Sequence, residues 1–202
     1  MMRQRQITRQ ARHAAIALLL LSGGASRAFA QNDHDHAVAG QPREMTAEQK
    51  RRAGLLVKEV REATAGFQTP DQLPQDYQLM FGCVSGGDFG AMGLHFVNGS
   101  LLGDGEVKAD SPEIVLYEPL PNGRMRITGV DYFVYQADWD KNHPHDPPQL
   151  DGQLFHLFES PNRFGLDPFY SLHVWAWKDN PNGTFANWNP NVSCDAFAGE
   201  KR

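Results

Sequence analysis

The stretch RMRITGVDYFVYQADW, residues 124–139, decides the fold. It is the longest run in the chain that reads as a strand, dense in β-branched and aromatic residues and free of Pro. At a period of two, Met125, Ile127, Asp131 and Phe133 point one way. Thr128, Val130, Tyr132 and Val134 point the other. An acid, Asp131, therefore sits inside an apolar strand.

Working outward, further strand candidates flank it: YQLMFGCV (77–84), MGLHFVN (92–98), PEIVLYEP (112–119), QLFHLFES (153–160) and YSLHVWAWK (170–178). Met92, Leu94 and Phe96 alternate against His95 and Val97, and Ile114, Leu116 and Glu118 against Val115 and Tyr117. Loops separate them. SGGDFGAMG is Gly-rich but lacks the spacing and the Lys of a phosphate-binding loop. DKNHPHDPPQLDG (140–152) cannot sustain a ladder because of its prolines.

One helix precedes the strands. In TAEQKRRAGLLVKEVREATAG (46–66), Thr46 and Gln49 have the spacing of a capping box. Ala53, Leu56, Val57, Val60 and Ala63 or Thr64 form one apolar stripe, and Gly66 stops the helix. The expected fold is α+β: one N-terminal helix packed on a bent antiparallel sheet or small β-barrel, with long Pro/Gly-rich loops. A doubly wound α/β fold would need helices between the strands.

The start of the chain reads as a targeting segment. Residues 1–30 hold five Arg and no acid, a short apolar run from Ala14, and Ala28 and Ala30 before a cut, the layout of a secretory signal peptide. The polar QNDHDHAVAGQPRE (31–44) reads as a flexible leader, leaving 45–202 as a single globular domain. Without the signal, 14 basic residues face 24 acidic ones, a formal charge of −10. That balance argues against nucleic acid or anionic lipid as a partner. The expected location is periplasmic or secreted, with no membrane span after cleavage. There the two cysteines, Cys83 and Cys194, would form one disulfide, tying the tail to the start of the sheet.

Three histidines fall inside strand candidates: His95, His156 and His173. A buried neutral imidazole needs both nitrogens satisfied, so each alone suits a structural role. Sharing one inward face, they suit a divalent transition metal (Zn, Fe, Mn or Cu), with Glu118 as first carboxylate and Asp131 as second choice. On the last strand His173, Trp175 and Trp177 alternate against Leu172, Val174 and Ala176. The first set suits the wall of a small-ligand pocket, to which Tyr117 and Asp131 would add polar groups. No GxSxG, HExxH or CxxCH motif is present. The expectation is an exported small-ligand or metal-binding domain with an aromatic-lined His pocket. A metal-dependent enzyme acting on a small organic molecule, and a non-catalytic envelope module, are the alternatives.

Taken together, CVSGGDFGAMGLHFVNGSLL, IVLYEP, GVDYFV, GQLFHLFESPNRFGLDPFYSLHVWAWKDNPNGTF and WNPNVSC resemble a family of exported, uncharacterised bacterial proteins. The resemblance covers about residues 60–194 and implies one domain after a variable leader; it brings no activity. Where relatives read GVEYFV, this chain has GVDYFV, so Asp131 is one methylene shorter than the residue it replaces.

Overall fold

A computed structural model describes residues 44–202, which form one unit. The expected signal peptide, and the leader up to residue 43, lie outside the described residues. Helix α1 (Ala47–Ala63) begins at the Thr46–Gln49 capping box, each side chain bonding the other's backbone N–H at 3.2 and 2.8 Å. Leu56, Val60 and Thr64 of its apolar stripe are fully buried.

Strands β1 (Tyr77–Ser85), β2 (Ala91–Asn98), β3 (Ile114–Pro119) and β4 (Met125–Tyr135) follow as an antiparallel meander. Short helices α2 (Gly99–Leu102) and α3 (Gln136–Asn142) come after β2 and β4. Strands β5 (Gln149–Leu150) and β6 (Gln153–Leu154) make a separate hairpin. β7 (His156–Phe158) and β8 (Phe169–Val174) complete a six-stranded sheet of order β1-β2-β3-β4-β8-β7. The fold is α+β, and the sheet is open, not closed into a barrel. Residues 136–142 are helical where the sequence pattern extends the strand; Tyr135 ends the ladder and the polar QADWDKN turns away from it.

Both faces of the sheet are covered. Across β3 and β4, Val115 and Val130 pair directly, so their side chains share one face. On it, α1 packs through Leu56 and Val60 against Val130, Tyr132, Leu172 and Val174. Tyr117, Ile127, Trp175 and Val192 continue the same core. The other face carries Val97, Ile114, Leu116, Phe133 and Phe169.

Two bulges break the strict alternation. Leu116 pairs with Gly129 but Tyr117 pairs with Ile127, which leaves Thr128 as the extra residue on β4. Ile127 therefore joins the helix-side core, whereas Asp131 and Phe133 point to the opposite face; alternation alone puts all three together. On β2 the extra residue is Met92, since Val84 pairs with Gly93 and Ser85 with Ala91. Met92 thereby shares the face of His95 rather than that of Leu94.

A disulfide joins Cys83 to Cys194 with Cα atoms 5.7 Å apart, 111 positions apart in sequence. Beyond it the chain returns to β1: Cys83 N–H donates to Glu200 O and Arg202 N–H to Cys83 O, both at 2.9 Å. Cross-linking so long a loop is worth about 4–5 kcal/mol in the chain-entropy picture. The double variant C83A/C194A is expected to lose about 2–5 kcal/mol in denaturant titration, with the helix signal retained in water.

Glu113, 2 % exposed, is a second feature of this core. Burial pushes its pKa from 4.5 up to about 8, although Phe133 N–H donates to its Oε2 at 3.0 Å. A carboxyl with a higher pKa folded than unfolded binds more protons when folded. Its contribution is full below about pH 4.5 and lost as pH rises toward about 8. Stability measured across that window should fall with pH in the parent chain and run flatter in Glu113→Gln.

Candidate functional site

The register between β4 and β8 sets Asp131 directly opposite His173, so both side chains rise from the face away from α1. Ser171, one alternation earlier on β8, donates its hydroxyl to Asp131 Oδ1 at 2.6 Å. The end of β8 lies very close to β4: a Cβ at Gly129 would stand 2.1 Å from Val174 O. Glycine is required there for His173 to come down beside Asp131.

His95 reaches the same spot from β2. Its ring lies edge-on to that of His173, with centroids 6.1 Å apart. Its Nδ1 is 3.1 Å from Gly93 O, which assigns the proton to Nδ1 and leaves Nε2 as a free donor pair. Gly93 itself has φ +94 and passes so close to β3 that a Cβ would lie 2.5 Å from Tyr117 O. Burial, followed by the neighbouring His173, lowers the His95 pKa to about 4, so the ring is neutral at neutral pH.

His95, Asp131 and His173 are all buried, and one ligating atom of each lies within 4.8 Å of the others. His173 Nδ1 is 3.2 Å from Asp131 Oδ1. The alignment is too poor for a hydrogen bond, and neither His173 nitrogen has a partner. A buried polar group left unpaired costs about 1–3 kcal/mol. Two imidazoles and one carboxyl group make a donor set for a divalent transition metal. Gly93 O and Ser171 Oγ hold two of the three donors from behind, as outer-shell partners do in metal sites.

These residues form the floor of a pocket. Ile114, Met92, Phe133 and Phe169 line its buried depth, and Phe81, Phe158, Phe164 and Leu166 are half-buried toward its mouth. The enclosed free space is about 30 Å³, enough for an ion and one or two waters. The β7–β8 loop supplies Phe164 and Leu166. Asn162 organises it by accepting from both of their backbone N–H groups at 3.1 and 3.3 Å.

Of the residues singled out from sequence, the structure brings His95, Asp131 and His173 together. It does not bring Glu118, whose carboxylate is held by Arg126 (2.7 Å from its Nε) and by Lys178 at 2.5 Å. His156 is exposed on the edge strand β7, opposite Ser171. Tyr117 is fully buried on the helix side, donating to Phe67 O at 2.7 Å. Neither tryptophan lines the pocket, although the Trp175 ring stays 6.2 Å from that of His173. β8 ends at Val174, and Ala176 N–H closes a tight turn onto Val174 O at 2.9 Å. Past that turn, Trp175 donates its indole N–H to Ala186 O and Trp177 to Thr64 Oγ1, so both serve the helix-side core. The wall is built of phenylalanine instead. Phe133, Phe169 and Ser171 were within reach of the alternation rule, being spaced by two or four from Asp131 or His173.

Ser171 gives a direct test of this geometry. In Ser171→Ala the Asp131 carboxylate loses its 2.6 Å donor, and metal affinity measured by competition with a chelator should fall about 10–100-fold. Compared with known proteins, the chain matches no family model, no curated protein and no solved structure.

Proposed function

We propose that the chain is an exported metal-binding domain in which His95, Asp131 and His173 hold a divalent transition metal at the floor of a small-ligand pocket. The observation that carries this reading is His173. Both of its nitrogens are buried without a hydrogen-bond partner, beside two further donors within 4.8 Å. An ion supplies the missing partner. The N₂O set is that of two-histidine, one-carboxylate sites, which keep coordination positions open to exogenous ligands and suit Fe²⁺, with Zn²⁺ and Mn²⁺ compatible. Bonds of about 2.0–2.2 Å require the donors to draw closer than they stand, a rotation of the imidazoles about their side-chain bonds.

With such positions open toward the pocket, the bound ion could polarise a small organic molecule, the route by which the site would become catalytic. In that chemistry Asp131 and the two histidines fix the ion, and the pocket's hydrocarbon wall keeps water away. Export is supported by the disulfide, which persists in oxidising compartments. No helix among the described residues is long and apolar enough to cross a membrane. A second reading, an acid–base pair without metal, draws on the 3.2 Å approach of His173 to Asp131.

Elemental analysis of the purified full chain tests the proposal. Near one Zn, Fe, Mn or Cu per chain is expected, lost in His173→Ala and Asp131→Asn and retained in His156→Ala. Adding back the metal at about 100 times its dissociation constant should raise the melting temperature by about 5–10 °C. Metal-free protein whose melting is unchanged by all four ions would sink the metal reading and leave the acid–base pair.

A further inference from the structure

Resting on the metal reading, we infer that the pocket selects a small aromatic monoanion, a benzoate-type carboxylate or a phenolate, that gives one oxygen to the metal and lays its ring against the phenylalanines. The first support is charge. With Asp131 as the only anionic donor, a bound divalent ion retains one net positive charge in a buried setting, where a single anion is strongly favoured.

The second support is the poverty of other polar groups. The Ser171 hydroxyl is committed to Asp131 and His95 Nδ1 to Gly93 O. Apart from Ser171 and the three donors His95, Asp131 and His173, every residue lining the pocket has a hydrocarbon or thioether side chain. A sugar, nucleotide or amino acid would bury hydroxyls or charges there with nothing to pair them.

The third is shape. Phe133, Phe169 and Phe158 form a continuous stack, with centroids 4.6 and 4.9 Å apart and planes inclined by 23° and 7°. Phe81 and Phe164 meet edge-to-face at 5.5 Å near the mouth. Both faces of Phe169 are covered by its neighbours, so the stack offers ring edges, and edges packed against the π-face of a ligand ring make the favoured edge-to-face arrangement. Near the mouth Arg163 lies 6.0 Å from the Phe164 ring and bonds only a backbone carbonyl, Ser85 O, whereas Arg202, 5.7 Å from the Phe81 ring, is paired with Glu200 at 2.8 Å. The Arg163 charge draws anions toward the opening.

About 30 Å³ of free space is less than a ring fills, so a ring enters only as the side chains lining the pocket shift, Phe81 and Phe164 among them. Phe81 is the residue set to move. It has φ 66 in a two-residue bulge of β1, an uncommon conformation for a side chain of its size, and it is only half-buried.

The test uses the full chain loaded with Co²⁺, whose visible spectrum reports changes in coordination. Benzoate and phenol are titrated against acetate (an anion without a ring), toluene (a ring without an anion) and glucose. Benzoate should perturb the spectrum and bind at least tenfold more tightly than acetate. Phe164→Asp should weaken benzoate at least tenfold with cobalt content unchanged, and Phe81→Ala should admit 2-naphthoate that the parent chain rejects. Benzoate binding no better than acetate, or leaving the cobalt spectrum unchanged, overturns this inference while the metal reading stands. Failure to load cobalt, zinc or iron overturns both.

Discussion

The pairing of β4 with β8 is the constraint on which the rest of the structure depends. Six successive residue pairs, from Val130 with Val174 to Tyr135 with Phe169, lock the two strands in one register. A slip by one residue would exchange the faces of every side chain on the strand. Leu172 and Val174 would leave α1, and His173 would leave Asp131. The same ladder thus fixes the hydrophobic core on one side and the donor cluster on the other. Gly129 tightens this dependence, since any larger residue would collide with Val174 O.

Much of this was legible in the sequence. The helix stripe of Leu56, Val60 and Thr64 and its Thr46–Gln49 cap follow from local rules, and local rules suffice because the helix's hydrogen bonds close within a few residues. The strands announced themselves through alternation, and the expectation of export pointed to Cys83–Cys194. The same parity brought His173 and Asp131 into consideration.

What escaped the sequence arises where the chain departs from a fixed period. Bulges at Thr128 and Met92 reassign faces without any compositional mark beyond nearby glycines. After the tight turn at Val174 neither Trp175 nor Trp177 lines the pocket wall that alternation would have given them. Glu118 drew attention as a carboxylate at the end of an apolar strand, yet Lys178 and Arg126 neutralise it, and Lys178 is 60 residues away in sequence. Which acid stays unpaired is a tertiary fact. The phenylalanine lining came from β1, β4, β7, β8 and the loop before β8, a convergence that no single segment displays.

The return of the chain end to β1 has a consequence for association between molecules. An open sheet has two borders, and each exposes backbone groups to which a foreign strand can add. Glu200 O and Arg202 N–H occupy those groups around Cys83, and the bulge at Phe81 and Gly82 twists the remainder of that border out of register. At the other border β7 has only three residues, too few to template a long ladder. Addition of a foreign strand is thereby hindered at both borders, with the disulfide anchoring the segment that seals one of them.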